Sequence, residues 1–387
     1  MSAVARSSSE VSACAPLMAP LALRNVRLRN RIVVSPMQTY SSTSAKPSAF
    51  HLVHLGRFAL GGAALVSVEA TAVCPEGRST THDLGLWSEE QADAFRPITD
   101  FLREHGAASA VQIQHAGTKS ACRPPWRGFG PLQVEDAQRG EVRWEAWGPT
   151  SAGWSPAYPP SHPVQRADVD YLLNCYRRAT RLAHRAGFDV VEVHAAHGYL
   201  LHSFLSPLMN HRTDEFGGSL EGRMKLPLEV AKVVREEWPD DRPVMLRMSC
   251  VDGNSVGWSI EDSVEFARRL KAVGIDVVDC SSGGANLPNV SDLVPRRPGF
   301  QAPFARAVRE GAGIATIAVG LISDARHANA IIEEGSADFV AMGRELLWNP
   351  NFPAQAGQTL GADPGWDLWP RQFGWWLKRR ARAQATN

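Results

Sequence analysis

Residues 168–199 read DVDYLLNCYRRATRLAHRAGFDVVEVHAAHGY, and this stretch contains one complete unit of the fold. Over 168–186 the apolar side chains recur at the 3.6-residue spacing of a helix that buries one face. Asp168 is placed to cap its start and Gly187 to end it, because glycine takes the left-handed conformation that helix ends favour. The chain then enters 189–194, a short β-branched run that is apolar on both faces, as a strand covered on both sides must be. Outward from this unit the alternation repeats: similar runs stand at 31–37, 63–73, 108–115, 243–248, 276–281, 314–319 and 337–342, with helical segments between them. One such helix starts at Ser259, with Asp262 three residues on, and runs through Lys271. Strands alternating with helices build parallel βαβ units. Eight of them close more naturally into a (β/α)₈ TIM barrel than into an open doubly wound sheet, which is the runner-up.

Composition narrows the function classes. Forty-one basic against 40 acidic side chains in 387 residues leave no electrostatic footprint for nucleic acid or an anionic membrane, so a small-molecule partner is expected. The six cysteines, Cys14, Cys74, Cys122, Cys175, Cys250 and Cys280, lack the close spacing of zinc or iron–sulfur sites, and reduced thiols in a cytoplasmic protein are the plain expectation. Residues 1–18 lack the apolar core of a signal peptide and read as a disordered leader. Nowhere does the sequence hold a run long and apolar enough for a membrane helix. The division expected is a leader over 1–18, a barrel over 19–355 that includes an N-terminal lid segment, and a C-terminal tail over 356–387.

Two segments break the rhythm. The long loop 118–163 after the third strand is rich in Pro and Gly and carries Trp126, Trp144, Trp147 and Trp154. Loops of this length tend to be functional, so it is read as a lid of buried aromatics over the barrel mouth. The tail carries Trp366, Trp369, Trp375 and Trp376, more than a solvated segment would hold.

Barrel chemistry sits where strands end. At the fourth strand, His194, His197 and Tyr199 fall together: two imidazoles able to donate to a carbonyl oxygen, and a phenol able to protonate a carbanion. A metal on the H-x-x-H pair, or purely structural histidines, are the alternatives. Arg247 ends the buried fifth strand and demands an anionic neighbour. Gln112, on the third strand, can pair with a planar heterocycle. Gly320 after the seventh strand, Gly343 and Arg344 after the eighth, and Gly284 after the sixth suit a phosphate cradle.

With these residues assembled, the chain resembles the Old Yellow Enzyme family, in the bacterial branch of xenobiotic reductases and thermophilic-like ene-reductases. The resemblance runs from about Leu17 to Phe352 and rests on RIVVSPM at 31–37, VEATAV at 68–73, HAAHGY at 194–199, FLSP at 204–207, NHRTDEFGGS at 210–219 and GRELL at 343–347. It implies non-covalent FMN at the mouth, lined by Pro36, Met37 and Ala70, with Gln112 on its pyrimidine ring, Arg247 near N1 and O2, and Gly320, Gly343 and Arg344 at the phosphate. It further implies NADPH or NADH as reductant and an enone, enal, maleimide or nitro compound as substrate. His194 and His197 would bind the activating oxygen, and Tyr199 would deliver the proton.

Relatives in this branch carry a cysteine two residues after the proline of the first-strand motif, where this chain has Gln38; the substrate-contacting Tyr40 is retained. In the tail, Trp376 falls on the aromatic residue that closes the substrate pocket in xenobiotic reductases, and Trp375 replaces an arginine finger. That comparison implies a homodimer or higher oligomer whose sites are completed in trans. A flavin-dependent desaturase or oxidase and a non-catalytic flavin-binding barrel are the rival functions.

Overall fold

The computed structural model describes residues 15–285 and 294–385. Residues 1–14, which include most of the expected leader and Cys14, lie outside the described residues. Pro16–Met18 belong to the folded body, because Leu17 is fully buried in the main core; the leader boundary expected at residue 18 is therefore too late.

Eight parallel strands form one closed barrel: β1 Ile32–Val34, β2 Leu65–Ala72, β3 Ala108–Gln114, β4 Val190–Ala195, β5 Val244–Ser249, β6 Val277–Ser281, β7 Ala315–Val319 and β8 Phe339–Met342. Each lies on one of the eight expected runs. Closure comes from β8 on β1, pairing Val340 with Ile32 and Met342 with Val34. Strands β2, β4 and β5 are buried at every position, the burial that makes such runs apolar on both faces. The amino-terminal ends of the strands are plugged by a cluster containing Leu65, Ala110, Val190, Met245 and Val277, and the short antiparallel ribbon Leu21–Leu23 and Val26–Leu28 packs on it. The N-terminal lid thus covers the barrel's base, opposite the mouth.

The helices ring the barrel. Among them are α1 Ala49–Leu60, α2 Glu89–Glu104 and α3 Arg166–Arg185. Helix α3 starts two residues earlier than the sequence suggests: Gln165 is its N-cap, and Asp168 lies in the first turn, where its carboxylate accepts from Gln165 N at 2.7 Å and faces His162. Gly187 follows its end at φ +84°, as expected. Ser259 caps the helix Ile260–Ala272 through Asp262 N. The helix Phe352–Thr359 crosses the expected boundary of the tail, with Ala354 and Ala356 buried, so the barrel body extends beyond residue 355. Among the described residues, no helix is long and apolar enough to cross a membrane.

The loop 118–163 is held by a small parallel pairing of Trp147–Gly148 with His162–Pro163. Trp147 packs against the core, and the indole N–H groups of Trp144 and Trp154 donate to the carbonyls of Glu76 and Gly284. Trp126 departs from the expected burial: it is 67% exposed, its ring set edge-on to Tyr40.

Candidate active site

A cavity of about 860 Å³ opens at the carboxyl ends of the strands, within the size range of cofactor sites. Pro36 and Met37 enter it directly after β1, Arg247 from β5, His197 from the turn after β4, Gly320 from the end of β7, and Gly343 and Arg344 from the end of β8. Gly320 has φ +117°, and a Cβ there would meet Phe300 at 2.8 Å and Gln301 at 2.9 Å. Only glycine keeps that turn open. Arg344 is exposed and has no carboxylate partner among the described residues.

At the end of β4 the ring centroid of His194 lies 5.1 Å from that of His197 and 5.0 Å from that of Tyr199. His197 sits in the left-handed region at φ +61°; its N–H donates to Ser249 Oγ at 3.0 Å, and its Nε2 lies 2.8 Å from Ser281 Oγ. Burial, with Arg247 as the next cause, holds both imidazoles well below their ordinary range, so they are neutral. Burial also pushes the Tyr199 phenol well above its ordinary value. Nδ1 of His194 has no hydrogen-bond partner among the described residues. Lys119 closes the cluster from the lid side: its Nζ donates to the His197 carbonyl at 2.5 Å, stands 4.5 Å from the Trp154 ring, and is lowered to about 8 by burial.

Beneath the mouth lies a buried ionic group that the sequence did not disclose. Arg247 Nε is 3.2 Å from Asp279 Oδ2, but without hydrogen-bond alignment. The anion that its burial demands is therefore supplied in part by the protein itself. Glu192 accepts from Gln112 Nε2 at 2.6 Å and is raised to about 8 by burial and by Asp279, so it is largely protonated at neutral pH. Neither acid belongs to a recognisable motif, and a strand's apolar pattern gives no warning of them.

Of the other residues expected at the site, Ala70 packs with Tyr199 and Ala116. Gln38 and Tyr40 stand beside Tyr199: the Tyr199 hydroxyl donates to Gln38 Oε1 at 2.7 Å, and Tyr40 donates to the same oxygen at 3.3 Å. Gly284 does not line the cavity. Its backbone is pressed against His197 and Gly198, where any Cβ would overlap His197 at 2.1 Å, so its role is close packing of two loops. Trp376, 66% exposed on the terminal helix, does not reach the cavity of its own chain.

These features fit FMN. Arg247 and Ser35 line the cavity. Among the described residues the Ser35 hydroxyl has no hydrogen-bond partner and Arg247 Nε has only its misaligned contact with Asp279, and the glycine turns at 320 and 343 leave backbone beside the exposed Arg344 guanidinium, which is what a phosphate requires.

Comparison with known proteins agrees. Residues 16–362 match the model of the NADH:flavin oxidoreductase / NADH oxidase family. The chain is similar to the NADPH dehydrogenase of Listeria innocua, 40% identical over 343 residues that cover 88% of this chain and 93% of the relative. It is similar as well to that of Bacillus subtilis, 37% identical over 349 residues that cover 90% and 96%. Among solved structures, morphinone reductase superposes with a TM-score of 0.72 at 25% identity, over 93% of this chain and 94% of that one.

Proposed function

The chain belongs to the NADH:flavin oxidoreductase / NADH oxidase family and is an FMN-dependent NAD(P)H oxidoreductase of the Old Yellow Enzyme type; from this premise we propose that it reduces the C=C bond of α,β-unsaturated carbonyl and nitro compounds, with Tyr199 as proton donor. The observation that carries the reading is the convergence of two neutral imidazoles and a protonated phenol at the end of β4, beside the cavity. FMN, when bound, supplies the two-electron hydride relay from NAD(P)H to the alkene. Pro36 and Met37 would shape one wall, while Gly320, Gly343 and Arg344 would hold the phosphate end. Arg247 would hold the cofactor's anionic form through its positive charge. His194 and His197, each neutral and so able to donate one N–H, hold the activating oxygen of the substrate. Tyr199 gives its hydroxyl proton to the α-carbon, so that C–H forms as O–H breaks, and recovers a proton from solvent. Reductant and alkene occupy the same mouth in turn, in a ping-pong cycle. The curated relatives named NADPH dehydrogenase support NADPH as the reductant.

The test separates the half-reactions by stopped flow. General acid catalysis is worth about 10² to 10⁴-fold, so Tyr199→Phe is expected to slow alkene reduction by that order while flavin reduction by NADPH keeps its rate. Equal slowing of both, or of neither, removes Tyr199 from the role.

A further inference from the structure

Behind the candidate proton donor stands a buried carboxylate that the chemistry above does not use. Asp83 has no exposed surface, and its two oxygens accept five hydrogen bonds. Oδ2 takes Ser79 N at 2.6 Å, Ser79 Oγ at 2.6 Å and Gln38 Nε2 at 3.2 Å, while Oδ1 takes Thr80 N at 3.1 Å and Thr80 Oγ1 at 2.7 Å. Every one of these neighbours donates. The nest is built for an ionised acid, which can only accept.

The consequence falls on Gln38. A carboxamide has one accepting end and one donating end. Asp83, together with Ser79 Oγ at 3.1 Å, claims the donating end. The carbonyl oxygen must then face the other way, toward Tyr199 at 2.7 Å and Tyr40 at 3.3 Å. A carbonyl accepts a phenol's proton in a hydrogen bond but offers nothing to a phenolate. The amide, turned this way, favours Tyr199 with its proton on.

Resting on the reading of Tyr199 as the proton donor, we propose that Asp83 is a positioning residue which, through the amide of Gln38, fixes the Tyr199 hydroxyl as a donor and keeps it protonated until substrate takes the proton. The surrounding charges agree in sign. Tyr199 is held up by burial first, then by Tyr40, Asp83 and Cys122, with Ser79 acting in the opposite sense. Asp83 itself is raised to about 6 by burial, against the hydrogen bonds from Ser79 and Thr80, with Glu69 adding to the rise; Arg78 is the cation that feels its charge. Above pH ~6 the carboxylate is ionised and the orientation of Gln38 is enforced.

The experiment uses the FMN-loaded full chain and reads the ionisation of Tyr199 directly, from the ultraviolet difference spectrum of tyrosinate, assigned by its disappearance in Tyr199→Phe. Asp83→Asn is expected to raise the ionisation constant of Tyr199 by about tenfold or more, the size of a lost hydrogen bond to a charged group. The rate of the alkene half-reaction should then fall across the same newly reached pH range, with reduction by NADPH unchanged. Loosening of the fold would also admit water and acidify the phenol, so it is told apart by a lowered melting temperature and by a shift that adds in full to that of Gln38→Ala. Gln38→Ala, which keeps the other four hydrogen bonds to Asp83, is expected to shift Tyr199 in the same direction, and adding Asp83→Asn to it should contribute clearly less than Asp83→Asn does alone, because only the direct effect of the charge remains once the amide is gone. A full second shift in the double variant overturns the route through Gln38, and a titration unmoved in both single variants overturns the proposal. Should Asp83→Asn not fold, Gln38→Ala decides alone: a moved titration supports the proposal and an unmoved one overturns it. If Tyr199→Phe leaves alkene reduction unaltered, the proton-donor reading fails, while the titration still reports whether Asp83 controls the phenol.

Discussion

Neutral imidazoles define the pH behaviour of this mouth. Because burial and Arg247 hold His194 and His197 well below the ordinary imidazole range, neither gains a proton as the solution is taken through pH ~6.5, where a free histidine titrates. The alkene half-reaction is accordingly expected to be flat on its acid side through that value. A rate that follows an ionisation near it, and loses this dependence in His194→Asn or His197→Asn, would contradict the neutral assignment. The same physics bears on stability at His115, which is buried, accepts from Gly117 N at 3.0 Å and is lowered to about 4 by burial. A depressed value means that the unfolded chain takes the proton first, so the contribution of His115 is whole above pH ~6.5 and is lost as pH falls toward 4. The gap corresponds to roughly 3 kcal/mol. His115→Gln should flatten that part of the pH dependence of urea unfolding, and an unchanged slope would mean that other groups carry it. These histidines were legible in the sequence as strand-end residues. What Gln38 does was not: it read as an absent thiol, because its partners Tyr199 and Asp83 stand 161 and 45 residues away, and the local sequence around Asp83 carries no motif.

Strand ends, more than whole strands, carry the residues proposed to cradle the cofactor. The eight strands were legible because they are buried almost throughout and so are mostly apolar on both faces. The turns that follow them are legible only through glycine, and glycine has several uses. Gly320 and Gly284 look alike in sequence and both have positive φ, +117° and +110°, yet one opens onto the cavity and the other buries itself against His197. Gly320→Ala places a Cβ against Phe300 and Gln301 in a conformation that costs about 1–3 kcal/mol for other residues. It is expected to weaken FMN by about tenfold or more, measured as quenching of flavin fluorescence on titration into stripped protein. Arg344→Gln should weaken FMN comparably without lowering the melting temperature of the stripped protein, because the guanidinium is exposed and has no partner among the described residues. Retention of full FMN affinity in both variants would move the phosphate away from these turns. The lid was harder to read: two-residue strands such as Trp147–Gly148 leave no periodicity, and only the contacts reveal which of its tryptophans pack inward.

At the scale of the whole molecule, the terminal helix Arg371–Ala385 carries an exposed aromatic face. Trp369 at its entrance is buried, but Phe373, Trp375 and Trp376 are 48%, 49% and 66% exposed. Trp376 touches Trp375 edge-on at 4.5 Å, and Arg379 lies 3.9 Å over the Trp375 ring. Such an aromatic face in water invites association, and tryptophan suits an interface because it pairs large apolar area with one polar N–H. The sequence resemblance implies the occupant, a second copy whose mouth would receive Trp376. On this reading, deletion from Pro370 onward weakens the oligomer and raises the apparent KM for bulky enones, while FMN stays bound because none of its expected contacts lies in the deleted segment. A sharper test mixes two impaired parents, one Tyr199→Phe and one truncated before Pro370, under conditions of subunit exchange. In a mixed pair the Tyr199→Phe chain lends an intact tail to the truncated chain, whose own chemistry is whole, so one competent site forms and activity rises above the sum of the parents. Mass spectrometry must show that mixed pairs have formed. If they form and activity does not rise, the tail serves its own chain, and the exposed face of Trp375 and Trp376 has some other partner.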